Sequence, residues 1–182
     1  MPGARSAILE FFGVGGVRIE RVPSTPSVRA GAGLGLGAPV ALDEARRRAG
    51  YEAVLPTELP APQEVYFSAA LPGGQIGVVY ARPRAAGGRI LLTEFRANGV
   101  DYIEKSAGPD VRIEPVTIDG GRGYWLAGEP HLILYRAPDG SIREDTIRLA
   151  GNVLVWQRRS LTLRLEGVET KVEALEIARS VR

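Results

Sequence analysis

The only histidine of the chain, His131, carries the side chain best suited to proton transfer near neutral pH. It stands in GGRGYWLAGEPHLILYR, residues 120–136, directly after GEP and at the start of an apolar run. A hydrolase would pair it with a serine, but no serine of the chain occupies a Gly-x-Ser-x-Gly elbow. We interpret His131 as a strand-end side chain that bonds a nearby backbone group, and a hydrolase that uses it stays an alternative.

Four carboxylates offer the pairs that glycoside cleavage needs: Glu114, Asp119, Glu144 and Asp145. Each falls at a turn or a solvent-facing position of the predicted strands, and REDTIR predicts a charged outer face with cross-strand Arg–Glu pairs. The absence of cysteine and the single histidine exclude disulfides, thiolate catalysis and cysteine- or histidine-rich metal sites. We therefore assign no catalytic residue, no cofactor and no metal ligand.

The glycine-rich stretch GAGLGLG, residues 31–37, is similar to a phosphate-binding loop only at first sight. A dinucleotide fingerprint needs GxGxxG between a strand and a helix, and a Walker loop needs Gly-Lys-Ser/Thr. Here the glycines alternate after a Pro/Ser-rich stretch. This pattern indicates a linker.

Aromatic residues are concentrated in neighbouring predicted strands, where a platform for bases or sugars is conceivable: Tyr124, Trp125, Tyr135 and Trp156. Their sequence neighbours are Leu, Ile and Val, which favours packing, and we predict that both tryptophans are largely buried. The glycines of the GGRGYW stretch are interpreted as turn residues. Tyr124, Trp125 and His131 are kept as candidate ligand or interaction residues.

Composition places the chain among ordinary globular domains, since 45% of its 182 residues are hydrophobic and 24% are charged. A net charge of +2 gives no general attraction to nucleic acid. The longest apolar runs, such as HLILY and NVLVW, are far shorter than the roughly 20 residues of a membrane span, which predicts a soluble fragment.

Local signals divide the chain into three parts: residues 1–22, a Pro/Gly-rich linker at 23–39, and an α+β domain at 40–182. Residues 3–12 have helical spacing, VRIERV alternates like a strand, and residues 24–38 are expected to be irregular and exposed. In ALDEARRRAG, acidic residues precede arginines and Gly50, which predicts a helix over 42–49.

The rest of the chain is dominated by strands separated by turn signals at hairpin spacing. We predict an α+β fold in which an antiparallel β-meander forms a curved sheet, packed by a C-terminal helix and short N-terminal helices. DYIEKSAG, residues 101–108, is predicted to be a helical turn or a loop. The strands are predicted in EVYFSA, QIGVVYAR, RILLTEFRA, VRIEPVTI, RGYWLAG, HLILYRA, IREDTIRLA, NVLVWQR and LTLRLEG.

The C-terminal stretch TKVEALEIARSVR predicts a capped amphipathic helix from about Thr170 to Val181. We expect it to pack on the sheet through one apolar side, and we expect a large loss of stability on truncation of Leu175. That side comprises Val172, Leu175, Ala178 and Val181.

The order of these pieces resembles the extracytoplasmic part of bacterial membrane proteins encoded with sigma factors, the anti-sigma-factor-like proteins. The resemblance spans nearly the whole chain, and its most specific elements are GRGYWLAGEPH and LAGNVLVW followed by LTLRLEG. In that family a cytoplasmic segment and a membrane helix precede a stretch similar to PGARSAILEFFG. The family has no established catalytic residues to carry over.

The resemblance implies a non-enzymatic extracytoplasmic sensor or protein-interaction domain of a membrane-anchored transcription regulator. Residues 1–22 would be its membrane-proximal segment, and residues 40–182 its sensor-like domain. The sigma factor and the membrane would be contacted only through regions absent from this chain, which leaves a protein partner or an unknown small ligand for the outer domain. The alternative is a carrier that holds a lipid or small apolar ligand on a curved antiparallel sheet, and without the resemblance a cytoplasmic location is expected.

Overall fold

The fold is defined by a computed structural model of the 182-residue chain. Its described residues are 11–14, 17–21, 36–69, 73–82, 88–96, 103–107, 111–128, 132–136, 142–145 and 151–182. The strands and helices are β1 (Phe11–Val14), β2 (Val17–Arg21), α1 (Leu42–Ala49), β3 (Glu64–Ser68), β4 (Gln75–Ala81), β5 (Arg89–Arg96), β6 (Ile103–Ala107), β7 (Arg112–Ile118), β8 (Gly121–Ala127), β9 (Leu132–Arg136), β10 (Ile142–Asp145), β11 (Val153–Arg158), β12 (Leu161–Glu166) and α2 (Lys171–Arg179).

The main sheet has seven antiparallel strands in the order β3-β4-β5-β12-β11-β8-β7. With two helices in its described residues beside a curved, open sheet, the chain has the predicted α+β fold. Consecutive strands pair in β3-β4-β5, in β7-β8 and in β11-β12, whereas β5 pairs with the distant β12. The neighbouring strands β5 and β12 are therefore far apart in the sequence.

A second sheet collects the remaining strands in the order β1-β2-β6-β9-β10. The prediction of a helical turn or loop in DYIEKSAG is wrong, because Ile103–Ala107 forms β6 between β2 and β9. The predicted helix over 3–12 is also wrong at its end, because Phe11 begins strand β1; residues 3–10 lie outside the described residues. Pairing with β2 and β9 supplies these segments with backbone partners that local spacing does not reveal.

Near the end of the predicted linker, residues 37–39 are exposed as expected, but Leu36 is not. Leu36 is only 3% exposed and packs with Val79 and Leu91, while Val40 N–H donates to the Val65 carbonyl of β3. Residues 22–35 lie outside the described residues. The division of the chain at 1–22, 23–39 and 40–182 stays a prediction.

Helix α1 spans the predicted residues 42–49 and ends as its sequence indicates. Gly50 adopts a left-handed conformation, with φ of 68°, and its N–H donates to the Arg46 carbonyl at 2.9 Å. Ala45 and Ala49 are buried against the sheet, so the arginines of the last turn lie on the outer side. The helix contacts strands β3 and β4 of the main sheet.

Both faces of the central strands are covered. Trp125 and Trp156 are 3% and 0% exposed in the helix-side core, which confirms the prediction that both tryptophans are buried. Every residue of β12 is buried, including Arg164 and Glu166. Those two form an ion pair on the face opposite the helices.

The C-terminal helix packs on the sheet, and the side it buries includes three of the four predicted residues, Leu175, Ala178 and Val181. Thr170 caps it, since its hydroxyl accepts from the Glu173 N–H at 3.2 Å. Val172 is 66% exposed, so the predicted side is wrong at that position. Leu175 is half-buried and packs against the core. The buried residues of the side that faces the core are Ala174, Ile177, Ala178 and Val181.

Truncation of the buried isoleucine of this helix should destabilise the chain. Ile177→Ala removes a side chain that is 4% exposed and should lower the free energy of unfolding by about 2 to 5 kcal/mol. Val172→Ala, at the exposed position, should change it by less than about 0.5 kcal/mol. Urea unfolding followed by circular dichroism measures both values, and equal losses would contradict the observed orientation of α2.

Candidate binding site

Of the sequence-predicted site residues, the two that the structure describes, Tyr124 and Trp125, do not lie on one surface. Tyr124 and Trp125 are consecutive on β8 and therefore point to opposite faces of the sheet. Trp125 lies in the core beneath the helices, and Tyr124 is half-buried on the other face. His131 and the side chain of Tyr135 lie outside the described residues.

The glycines of the GGRGYW stretch have two different roles. Gly120 has φ of 80° and turns the chain between β7 and β8, as predicted. Gly123 lies inside β8, where a Cβ atom would stand 2.8 Å from the Val155 carbonyl oxygen and 2.9 Å from the Trp156 Cβ. The interpretation of this glycine as a turn residue is wrong, because close contact with β11 requires it.

The four carboxylates considered for catalysis form no pair among the described side chains. Glu114 accepts from the Lys171 ammonium group at 2.7 Å, and this hydrogen bond lowers the pKa of the carboxyl. The contact joins β7 to α2. Asp119 is exposed in the β7–β8 turn, and the side chains of Glu144 and Asp145 lie outside the described residues.

A concave pocket of about 650 Å³ lies where α1 ends and the chain turns toward β3. This volume lies within the range typical of small-molecule sites. The pocket joins the outer side of the helix to the end of β5. Its lining comprises Asp43, Arg46, Arg47, Gly50, Tyr51, Glu52 and Arg96.

The three arginines of this pocket differ in their partners. Arg46 forms ion pairs with Asp43 at 3.2 Å and with Glu52 at 3.4 Å. Arg96 places its guanidinium carbon 5.7 Å from the centre of the Tyr51 ring. Neither Arg47 nor Arg96 forms an ion pair with a carboxylate among the described residues. The pocket therefore presents two cationic side chains that have no anionic partner in the described part of the chain.

Tyr51 connects the pocket to the centre of the sheet. The residue is 7% exposed, and its hydroxyl donates to the backbone carbonyl of Glu94 at 2.7 Å. Burial is the main reason that the pKa of this phenol lies above its usual value, and the nearby Glu94 adds to the effect. Tyr51 is thus a neutral hydrogen-bond donor fixed against β5.

Behind Tyr51, the side chain of Glu94 is completely buried on the helix-facing side of β5. Its Oε2 accepts from the Val54 N–H at 3.1 Å, while its Oε1 has no hydrogen-bond partner among the described residues. Burial raises the pKa of this carboxyl to about 8, although the Val54 N–H and the charge of Arg46 favour the ionised form. At neutral pH the group is therefore mainly protonated.

The backbone contacts around Glu94 hold the carboxyl in this position. Its neighbours across the sheet are Ile76 on β4 and Leu163 on β12, both fully buried. The segment that covers it is fixed by the chain end, since Leu55 and Arg182 exchange two backbone hydrogen bonds at 3.0 and 3.1 Å. Glu94 consequently cannot reach water without displacement of this segment.

Sequence reasoning missed Glu94 and the pocket at the end of α1. RILLTEFRA reads as one strand, and the signal that marks Glu94 is an acidic residue two positions after Leu92 on the face that Ile90 and Leu92 bury. The arginines of α1 were read only as complements of the helix dipole. Arg96, which completes the pocket, adjoins them only through the tertiary fold.

Comparisons with protein-family models, with curated proteins and with solved structures yield no match for this chain. In the part of the chain that the structure describes, neither helix has the length and apolar character needed to cross a bilayer. Within those same residues, no group of three His, Cys, Asp or Glu side chains is placed to hold a metal ion.

Proposed function

We propose that this chain is a non-enzymatic binding domain, a sensor or protein-interaction domain whose binding site is the pocket at the end of α1. The observation that carries the proposal is the presence of Arg47 and Arg96 in one concave site without carboxylate partners among the described residues. Guanidinium groups bind and orient anions, but they keep their proton at any physiological pH. The chemistry that this lining offers is recognition.

The position of the titratable carboxyl supports binding over catalysis. Glu94 has a pKa suited to proton transfer, yet it is 0% exposed and lies behind Tyr51. A general acid or base must come within hydrogen-bond reach of its substrate. Glu94 therefore has a structural role, because its backbone carbonyl and its carboxyl hold Tyr51 and Val54 in place. A ligand in the pocket would contact arginine and tyrosine side chains instead.

Charged side chains dominate the pocket lining, which favours a polar ligand over the lipid or small apolar ligand of the carrier alternative. A carrier for an apolar molecule needs a cavity walled by aliphatic and aromatic groups. Tyr51 is the only aromatic side chain among the described residues that line this pocket.

The cellular setting of the proposal rests on the resemblance to anti-sigma-factor-like membrane proteins. In that setting the domain lies on the extracytoplasmic side of a bacterial membrane and forms part of a membrane-anchored transcription regulator. A ligand or protein partner bound outside would alter the state of a cytoplasmic segment that contacts the sigma factor.

A reporter experiment in the native host tests this function. The codons for residues 40–182 are deleted in frame from the complete gene, and transcription is measured from a promoter of the sigma factor encoded beside it. We expect a severalfold change relative to the undeleted gene, and the Arg122→Gln form, altered at an exposed position on β8, should behave like the undeleted gene. If the protein that lacks residues 40–182 accumulates to normal amounts and transcription is unchanged, the regulatory role is contradicted.

A further inference from the structure

We propose that the pocket at the end of α1 binds a carboxylate group, held by the guanidinium groups of Arg47 and Arg96 over Tyr51. This inference rests on the proposed function, because it names the ligand chemistry of the same pocket. It concerns binding by the isolated chain, so its test does not depend on any role in transcription.

The ion pairs around the pocket single out these two arginines. Arg46 already has Asp43 and Glu52 as partners, and Arg48 on the far side of the helix pairs with Glu44 at 3.5 Å. Arg47 lies between them in sequence and is exposed. The acidic residues of α1 and of the turn after it thus form ion pairs with other arginines. The guanidinium group of Arg47 is therefore available to bind an anionic ligand.

Arg96 reaches the same pocket from the end of β5. Its guanidinium lies 5.7 Å from the centre of the Tyr51 ring, and a planar cation near an aromatic ring has a restricted orientation. Tyr51 is itself fixed by its hydrogen bond to Glu94. Arg96 is therefore partly pre-organised, which reduces the entropy lost when it receives a ligand.

The overall charge of the lining favours a carboxylate over a phosphate dianion. Three arginines line the pocket together with two carboxylates, Asp43 and Glu52, so that one positive charge is left over. The side chain of Glu52 is 86% exposed at the rim and repels an approaching anion. A singly charged, planar group that accepts from two guanidinium forks matches both the charge and the donors.

Carboxylates reach such a pocket either on a small molecule or on an acidic side chain of a protein, and two probes separate these sources. N-acetylglycine represents the small acid, and a blocked Gly-Glu-Gly peptide represents the acidic side chain. Each is compared with its amide, N-acetylglycinamide or the Gly-Gln-Gly peptide, by NMR titration of the 182-residue chain. We expect dissociation constants of about 1 mM for the acids, and the tighter of the two acids identifies the source.

Variants connect the binding to the named side chains. Arg47→Gln and Arg96→Gln should each weaken binding about tenfold, because each removes a charge-assisted contact. Arg122→Gln removes an exposed arginine outside the pocket and should leave the affinity unchanged. Glu52→Gln should tighten binding about threefold, because it removes a repelling charge and frees Arg46.

Glu52→Gln tests the proposal even if an arginine variant fails to fold. The Glu52 side chain is highly exposed, so this variant should fold, and its affinity for the acids should rise. Acids that bind no better than their amides would overturn the proposal. The proposal would also be overturned if Arg122→Gln lost as much affinity for the acids as Arg47→Gln does, or if Glu52→Gln left the affinity unchanged.

Discussion

Glu94→Gln should become progressively more stable than the native chain as the pH rises, by about 4 to 5 kcal/mol between pH 4.5 and about pH 8. The reason is that burial raises the pKa of the Glu94 carboxyl from its ordinary value of 4.5 to about 8. Each pKa unit corresponds to about 1.4 kcal/mol of difference between the protonation states. The amide of glutamine never ionises, so it avoids this loss.

The direction follows from the number of protons bound in each state. Below pH 4.5 the carboxyl is protonated in both the folded and the unfolded chain, and it makes no pH-dependent difference to stability. Between pH 4.5 and about pH 8 the unfolded chain has released the proton while the folded chain retains it, so the free energy of unfolding falls as the pH rises. Above this window both states are ionised, and the loss is complete.

The measurement is urea unfolding, followed by tryptophan fluorescence, across this pH window for the native chain and two variants. The glutamine of Glu94→Gln can still accept from the Val54 N–H through its side-chain oxygen, so the fold is conserved. Glu52→Gln changes a highly exposed carboxylate and should show little pH-dependent difference from the native chain. A stability difference between Glu94→Gln and the native chain that is the same at both ends of the window would contradict the prediction.

Local sequence signals were sufficient for α1, for the start of α2 and for most strands of the main sheet. In α1, the acidic first turn, the arginines of the last turn and Gly50 all act within one or two turns of the helix, so the predicted bounds agree with the structure. The start of α2 follows from Thr170 in the same way. These signals describe where an element begins and ends, and they say little about its neighbours.

The pairing of the strands depends on contacts that no local pattern contains. β5 and β12 lie side by side although Arg96 and Leu161, which face each other, are far apart in sequence. β6 has the sequence IEKSA, with two charged and two small residues, and has no clear apolar alternation. Its strand conformation arises from pairing with β2 on one side and β9 on the other.

The candidate site was beyond sequence reasoning for the same physical reason. The two groups that fix Glu94, Tyr51 and the Val54 N–H, lie 43 and 40 residues away along the chain. The burial and the raised pKa of Glu94 depend on the segment around Val54 that covers it and on its register with Ile76 of β4. The sequence could show that Arg46 and Arg47 lie near the end of a helix, but not that Arg96 completes their pocket.

Trp156→Ala should produce the largest loss among single truncations of the core, about 3 to 5 kcal/mol in the free energy of unfolding. Trp156 is 0% exposed and lies on β11 between Leu163 of β12 and Gly123 of β8. The indole fills the space that Gly123 leaves open, since a Cβ there would stand 2.9 Å from the Trp156 Cβ. Alanine would leave a cavity at the centre of the sheet that its rigid strands cannot close.

Trp156→Phe separates the effect of apolar volume from that of the indole N–H. The Nε1 atom of Trp156 has no hydrogen-bond partner among the described residues, and a buried donor without a partner costs about 1 to 3 kcal/mol. Phenylalanine loses part of the ring volume but also removes that donor, so the two changes act in opposite directions. We expect Trp156→Phe to lower the free energy of unfolding by well below half as much as Trp156→Ala, as measured by urea unfolding followed by circular dichroism.

If Trp156→Phe lowers the free energy of unfolding as much as Trp156→Ala, the indole N–H contributes a favourable interaction, and the prediction is contradicted. A loss below about 1 kcal/mol for Trp156→Ala would show instead that the strands around Gly123 collapse onto the vacated space.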